Sequence, residues 1–207
     1  MRCAGVVGES GPVLPSHLAE VEKVGDTLMR VQRSRLHITG ASGSGTTTLA
    51  RAVASAWSAP HAEVDDYFWL PTDPPFTHKR PEPDRVALMR QVFLPRESWV
   101  LSGSLVGWGE DVVAACDAVV FVTLEPVERL RRLEAREQVR RGGQPHDEDA
   151  WEAFTTWAAG YDDPTFDGRS RVMHEQWLTT LTCPVLRVDS ARPVDELRDQ
   201  VLAWEPV

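Results

Sequence analysis

Lysine is scarce in this 207-residue chain: Lys23 and Lys79 are the only lysines among its 22 basic residues, and the others are arginines. Acidic residues outnumber basic ones, 31 to 22, and the formal net charge of −9 argues against a protein that binds nucleic acid through a basic surface. The three cysteines form no Cys-x-x-Cys pair, which argues against a zinc ribbon and favours a reducing, cytoplasmic compartment. No apolar run approaches the roughly 18 residues that a membrane helix needs. The composition therefore predicts a cytoplasmic globular protein of one domain without a membrane partner.

The first 30 residues differ in composition from those that follow. They are rich in Gly, Pro and Ser at first and contain no strand-like apolar run. We expect an N-terminal appendage over residues 1–30, with Met29 as an alternative start of the chain, and a single domain over residues 31–207.

Strand and helix patterns alternate after residue 33. Short apolar runs predict strands over residues 36–39, 62–64, 98–102, 118–124 and 184–188. Between and after them, periodic patterns predict helices over residues 46–57, 84–93, 126–141, 147–161, 169–181 and 193–204. Asp84 is the expected N-cap of the second of these helices. This alternation predicts a parallel sheet with helices on both faces.

A glycine-rich loop joins the first predicted strand to the first predicted helix. Residues 40–47 read Gly-Ala-Ser-Gly-Ser-Gly-Thr-Thr, which matches the phosphate-loop pattern G-x-x-x-x-G-K-[ST] except that Thr46 stands in place of lysine. The glycines allow backbone N–H groups to turn inward, and the helix that follows adds the positive end of its dipole. The loss of the lysine removes a charge from the outer phosphates, so either another cation replaces it or transfer is slow or absent. A Gly/Ser-rich turn without a ligand is the alternative.

This segment, from Ile38 to Thr48, resembles the adenylate-kinase-like P-loop kinases. More narrowly, it resembles a bacterial branch of AAA-family or adenylate-kinase-like ATPases whose loop also has threonine for lysine. The resemblance extends from about Arg33 to the C-terminus and implies an α/β fold, a P-loop NTPase three-layer sandwich. Its five-stranded parallel sheet would have the order 2-3-1-4-5, with a small helical lid at about residues 136–150. It also implies ATP and Mg²⁺, with nucleotide-binding residues at Gly40, Ala41, Ser42, Gly43, Ser44, Gly45, Thr46, Thr47, Thr48 and Arg140.

Two acids follow the second predicted strand, where ligands bind in open α/β sheets. We predict that Asp66 accepts a proton from the attacking hydroxyl and that Asp65 and Thr47 associate with Mg²⁺. The Asp-Asp-Tyr-Phe segment resembles the acid-plus-aromatic segment of uridine-kinase-like and other small-molecule kinases. A solvated turn is the alternative interpretation.

A proline-rich loop with interleaved aromatic residues comes next, at residues 71–83. Lys79 and Arg80 are candidates to supply the missing charge or to hold an acceptor anion, although Lys79 could equally be an exposed surface charge. Core packing is the alternative role for the aromatic residues of this loop. A simple turn at residues 102–104 is the alternative to acceptor binding by Ser104. The predicted acceptor-binding residues are Asp65, Tyr67, Trp69, Lys79, Arg80 and Ser104.

The helix predicted over residues 126–141 is rich in arginine. Arg129, Arg132, Arg136 and Arg140 recur at three- and four-residue spacing and so share one face. Related kinases carry such arginines around a mobile lid, and we predict catalytic roles for Arg132 and Arg136. Alternatively, the arginines pair with the glutamates of the same helix on a solvated face. The aromatic residues of the next helix are expected in the core.

Together these features predict a phosphotransferase that moves the γ-phosphate of Mg²⁺·ATP to a small acceptor. The acceptor stays open among nucleoside monophosphates, nucleosides and the hydroxyl groups of sugars or antibiotics. A non-catalytic or weakly hydrolytic nucleotide-binding regulatory module is the alternative, favoured by Thr46. We expect a monomer or a weak homodimer.

Overall fold

The computed structural model describes residues 34–142 and 147–205 of the chain. The predictions made for residues 1–30 and for the middle of the lid, residues 143–146, therefore lie outside the described residues. Five parallel strands form one sheet in the order β2-β3-β1-β4-β5, which confirms the predicted fold class. The strands are β1 (Arg35–Gly40), β2 (His61–Glu63), β3 (Trp99–Ser102), β4 (Ala118–Thr123) and β5 (Val185–Asp189).

Helices follow every strand of the sheet and cover both of its faces. They are α1 (Thr46–Trp57), α2 (Val64–Phe68), α3 (Glu82–Val92), α4 (Glu110–Val113), α5 (Pro126–Arg141), α6 (Glu148–Ala159), α7 (Arg171–Thr179) and α8 (Val194–Leu202). A single 3₁₀ turn, Gly160–Asp162, extends α6. None of the helices in the described ranges is long and apolar enough to cross a membrane.

Apolar clusters on both faces hold the helices against the sheet. On one face, Leu49 and Val53 of α1 pack with Leu197 and Val201 of α8 over the strands. On the opposite side, a second cluster forms around the fully buried Trp99. It includes Val64, Tyr67, Val86, Met89, Phe93, Leu101, Leu105 and Trp108. The central strands β1 and β4 are therefore buried between helices, as their uninterrupted apolar sequences predict.

The structure corrects the predicted position of the two acids. Strand β2 ends at Glu63, one residue before its predicted end, and Asp65 and Asp66 lie in the first turn of the short helix α2. The helix forms because Val64 and Tyr67, three residues apart, are buried on one face. Carboxylates also suit the positive N-terminal end of a helix. Both acids can thus be exposed together, which the alternation of a strand would not allow.

The prediction that Asp84 caps a helix is wrong. Helix α3 begins two residues earlier, at Glu82, with Pro81 as the N-cap and no side-chain cap hydrogen bond. Pro83 suits the first turn of a helix because its missing N–H has no intrahelical partner there. Asp84 is therefore inside the first turn, where it favours the helix dipole.

Candidate active site

The glycine-rich loop lies at the carboxyl edge of the sheet. Gly40, the last residue of β1, pairs with Val122 of β4, and a Cβ atom at Gly40 would collide with the Val122 carbonyl oxygen. Gly43 has φ +84°, and a Cβ there would lie 2.6 Å from the carbonyl oxygen of Arg129. Only glycine fits such a close approach at positive φ. The sequence therefore packs the loop tightly between β4 and α5.

Helix α1 starts directly from this loop, with Gly45 as its N-cap. No side chain caps this end, so the first N–H groups of the 12-residue helix are open to a ligand. Ser44 Oγ is buried within the loop and has no partner among the described residues. The hydroxyl of Thr47 likewise has no hydrogen-bond partner in the described part of the chain. Donors without acceptors in the described residues therefore collect at this end of the helix.

Three arginines bring positive charge to the loop that lacks lysine. Arg129 Nη1 donates to the carbonyl of Ser42 at 2.9 Å, and Arg169 Nη2 donates to the hydroxyl of Ser42 at 2.8 Å. Arg132 Nη1 lies 3.8 Å from the position of a Cβ atom on Gly45. Of these, only Arg132 was predicted to be catalytic.

Arg129 is a buried structural tie. Its side chain is 1% exposed and donates to Asp162 Oδ2 at 2.8 Å and to the carbonyl of Ala158 at 3.2 Å. Asp162 also accepts from Arg171 Nε at 2.8 Å. Helix α5 is thereby fastened to the 3₁₀ turn on one side and to the loop on the other.

The remaining arginines of α5 follow the predicted alternative in part. Arg132 donates to Glu128 at 3.1 Å and to the carbonyl of Ser190 at 2.9 Å. Arg140 forms a two-bond ion pair with Glu137. Arg136 is exposed and has no partner in the described residues. The shared arginine face is thus divided, because Arg129, Leu133 and Glu137 form the buried stripe of the helix.

Arg169 was not singled out in the sequence. It lies before α7, outside any predicted arginine cluster, and reaches the loop from the chain segment after the 3₁₀ turn. Its guanidinium carbon is 5.0 Å from the ring centroid of Trp157. Burial lowers the pKa of Arg169, and the charge of Asp65 partly offsets this effect. No local signal identifies such a residue, since its neighbours come from distant parts of the chain.

A pocket of about 210 Å³ lies on the acceptor side predicted from the sequence. It brings together Asp65, Asp66, Trp69 and Arg80 from the predicted set with residues of the proline-rich loop. The other lining residues are Leu70, Pro71, Thr72, Pro75 and Phe76.

The two acids of the pocket differ in their surroundings. Desolvation raises the pKa of Asp65, and the positive charge of Arg169 opposes this effect. The negative charges of Glu63 and Asp66 raise it further. Asp66 has neither a hydrogen bond nor an ion pair within the described residues. Its carboxylate is therefore available for contact with a ligand in the pocket.

The fit to Mg²⁺ rests on hydroxyl and carboxylate oxygens. Thr47 Oγ1 is unpartnered, and Asp65 offers a carboxylate on the pocket side. No group of three or more His, Cys, Asp or Glu residues that could enclose a metal occurs in the described residues. This donor set fits Mg²⁺, which is usually held by one or two carboxylates together with substrate phosphates.

Three predicted acceptor residues lie outside the pocket. Tyr67 is buried against Phe93, with ring centroids 6.5 Å apart. Lys79 is exposed, its Nζ 5.9 Å from the ring centroid of Phe68. Ser104 is buried, with Oγ 3.2 Å from His174 Nε2. Their roles in binding an acceptor stay predictions.

Arg80 lines the pocket but is already engaged. Its Nε donates to the carbonyl of Tyr67 at 3.0 Å, and its Nη2 lies 3.4 Å from the carbonyl of Trp69. Neither Arg80 nor Lys79 has a hydrogen bond to residues 40–47 among the described contacts. Arg80 thus holds the proline-rich loop against α2.

A buried polar network joins the strands to the segment that carries Arg169. His174 Nδ1 lies 2.9 Å from the Tyr161 hydroxyl, and Nε2 lies 3.5 Å from Thr39 Oγ1 as well as near Ser104. Burial lowers the pKa of His174 to about 3, assisted by the charge of Arg169. The sequence showed no metal-ligand spacing around His174. Its hydrogen bonding could not be predicted, because one partner, Thr39, is 135 residues away in the sequence.

No family model matches the chain. It is 37% identical over 178 residues to the uncharacterized protein YqaC of Bacillus subtilis (strain 168), a match that covers 83% of this chain and 97% of YqaC. The chain belongs to the YqaC family. Because YqaC is itself uncharacterized, membership of the YqaC family brings no activity with it.

Several solved structures with a similar backbone arrangement are kinases of low sequence identity to this chain. A gluconokinase from Sinorhizobium meliloti 1021 is 19% identical with a TM-score of 0.48, over 83% of this chain and 90% of that chain. A shikimate kinase from Acinetobacter baumannii in complex with shikimate is 11% identical with a TM-score of 0.49, over 82% and 90% of the two chains. Likeness at this level identifies neither the activity nor the substrate of a YqaC-family protein.

Proposed function

We propose that the chain is a phosphotransferase that moves the γ-phosphate of Mg²⁺·ATP to a hydroxyl group of a small acceptor. The observation that carries this proposal is the adjacency of two sites. Arg169 donates to Ser42 of the glycine-rich loop, and its charge also acts on Asp65, which lines the pocket. A donor site for phosphates and a pocket with an unpaired carboxylate therefore adjoin.

The proposed roles follow from the chemistry of each group. The loop N–H groups and the N-terminus of α1 bind the phosphates, and Thr47 and Asp65 hold Mg²⁺, which supplies charge neutralisation to the phosphates. Asp66 accepts the proton of the acceptor hydroxyl as its oxygen bonds to the γ-phosphorus and the bond to ADP breaks. Arg132 and Arg136 remain proposed lid arginines that stabilise the transferring group.

The pocket favours an acceptor that is neutral or positively charged and carries an apolar ring. Its wall contains the rings of Trp69 and Phe76, whose centroids lie 6.2 Å apart. The two acids Asp65 and Asp66 outnumber the single arginine of the pocket, Arg80, and two N–H groups of Arg80 already bind backbone carbonyls, so the pocket disfavours an anion. The volume of about 210 Å³ is below the range of about 300–1,000 Å³ that is typical for drug-sized ligands, which suits a single-ring acceptor.

ADP formation tests this proposal. The protein is incubated with Mg²⁺·ATP alone and with pools of nucleosides, nucleoside monophosphates, neutral sugars, sugar acids and aminoglycosides. We expect ADP formation that depends on a neutral or cationic pool. Asp66→Asn is expected to lower that rate by about 10²- to 10⁴-fold, because it removes the general base. Asp111→Asn, in an exposed acid on α4 paired with Arg90, is the matched control and retains the rate.

The alternative is a nucleotide-binding regulatory module without efficient transfer. Thr46 favours it, because the ammonium that normally bridges the outer phosphates is missing. ATP binding without acceptor-dependent ADP formation in any pool would contradict the phosphotransferase and favour this module.

We further propose a cytoplasmic monomer or weak homodimer that works without nucleic acid or membrane, in keeping with the net charge of −9.

A further inference from the structure

The guanidinium of Arg169 is under-used by the protein. An arginine has five N–H donors. Arg169 forms one hydrogen bond with the described residues, from Nη2 to Ser42 Oγ at 2.8 Å. Its Nε is buried and has no partner there. Because a buried donor without an acceptor is costly, this group is suited to an additional ligand.

The other two arginines at the loop donate more hydrogen bonds to protein acceptors than Arg169 does. Arg129 donates through Nη1 and Nη2 to two backbone carbonyls and to the carboxylate of Asp162, although its Nε is also buried without a partner in the described residues. Arg132 donates to Glu128 and to the carbonyl and hydroxyl of Ser190. Arg169 is therefore the loop arginine with the largest unused donor capacity in the described part of the chain.

Arg169 acts on both halves of the candidate site. It donates a hydrogen bond to Ser42 of the glycine-rich loop, and its charge lowers the pKa of Asp65, which lines the acceptor pocket. In phosphoryl transfer, the moving group lies between donor and acceptor, roughly in line with both oxygens. The Trp157 ring, 5.0 Å from the guanidinium carbon, limits the movement of the side chain.

We propose that Arg169 replaces the lysine that Thr46 lacks and binds the outer phosphates of the nucleotide. The proposal rests on the proposed function, since it requires that the loop binds ATP. A phosphate oxygen would give the unpartnered Nε its acceptor, and a guanidinium can bind a phosphate with two parallel hydrogen bonds. A cation from the segment before α7 thus takes over a task that the loop itself performs in lysine-containing sequences.

Calorimetric titration with Mg²⁺·ATP, Mg²⁺·ADP and AMP tests this role. We expect Arg169→Ala to weaken ATP binding by about ten- to hundredfold, because charge-assisted hydrogen bonds are lost. AMP binding is expected to change little. Arg169→Lys keeps the positive charge but lacks the planar guanidinium. We expect its affinity for ATP to lie between those of the unaltered protein and Arg169→Ala. Arg198→Ala, in an arginine of α8 that pairs with Asp195 and Asp199, is the matched control and leaves all three affinities unchanged.

Rescue separates a phosphate-binding role from a structural one. If Arg169 replaces the missing lysine, then Thr46→Lys added to Arg169→Ala restores the preference for ATP over AMP. Circular dichroism and thermal melting establish that each variant is folded. If Arg169→Ala does not fold, the same affinities are measured on Arg169→Lys instead.

The possible results have distinct meanings. Equal weakening of ATP, ADP and AMP by the Arg169 variants, or no weakening at all, would overturn the role of Arg169 while leaving the proposed function in place. Failure of the unaltered protein to bind any nucleotide would overturn both.

Discussion

Two buried histidines should make stability depend on pH. Burial lowers the pKa of His37 to about 4 and that of His174 to about 3, from an ordinary value of 6.5. Between those values the unfolded chain binds protons that the folded protein excludes. The free energy of unfolding is therefore fully maintained above about pH 6.5 and falls as the pH falls, by up to about 1.4 kcal/mol per pH unit for each group.

Urea unfolding at pH 7 and pH 5 measures this effect. We expect a loss of about 2–4 kcal/mol at pH 5, a range above the main carboxyl titrations. His174→Gln is expected to reduce this change in the free energy of unfolding between pH 7 and pH 5 by about half. His78→Gln, which alters an exposed histidine, is expected to leave it unchanged. An equal loss of stability in the unaltered protein and in both variants would show that buried histidines do not govern the pH dependence.

Thr46 stands where the phosphate-loop pattern has a lysine. The sequence shows that the lysine is missing, but it does not show which cations lie next to the loop. Lys79 and Arg80 were reasonable candidates by proximity in sequence to the acids. The cations that contact the loop come instead from α5 and from the segment before α7. Such contacts depend on how remote segments dock, for which a linear pattern contains no signal.

Helix α5 illustrates how an element can be predicted while its contacts are not. Its bounds, Pro126–Arg141, agree with those predicted, because proline favours the first turn and leucines recur at helical spacing. The burial of Arg129 was missed, since arginine is rarely buried unless it is paired. Its partner Asp162 lies 33 residues away, in a turn that was predicted as the end of a helix.

The docking of α5 can be tested through this buried arginine. Arg129→Met keeps much of the side-chain volume but removes the bonds to Asp162 and to two carbonyls. We expect a loss of about 2–3 kcal/mol in urea unfolding, the lower end for a broken buried pair, because Asp162 keeps Arg171 as a partner.

Arg131→Ala is the control for that experiment. Arg131 pairs with Glu128 on the solvated side of the same helix, and such exposed pairs contribute little to stability. If Arg129→Met were no more destabilising than Arg131→Ala, the buried contact would not fasten α5 to the loop.

The short helix α2 shows the limit of pattern reading at element boundaries. The apolar run before the acids indicates a strand, but the strand in the structure is only three residues long, His61–Glu63. The next turn becomes helical because the buried pair Val64 and Tyr67 has helical spacing. The pocket was nonetheless predicted in part, since both acids still emerge at the carboxyl edge of the sheet.

At the scale of the whole molecule, the sheet order could be predicted and the placement of charge could not. Alternating elements predicted a parallel sheet, the resemblance at the glycine-rich loop implied the order 2-3-1-4-5, and the structure confirms both. A net charge of −9 gave no indication that three arginines converge on one loop. Local positive charge within an acidic protein suits a small phosphate ligand better than a polyanion.

A crystal structure with Mg²⁺ and a non-hydrolysable ATP analogue is the most direct test of the central claim. The account predicts the triphosphate within residues 40–47, with the γ-phosphate toward the pocket of Asp65 and Asp66 and within hydrogen-bond distance of Arg169. An analogue bound elsewhere on the protein, or a triphosphate directed away from that pocket, would contradict it.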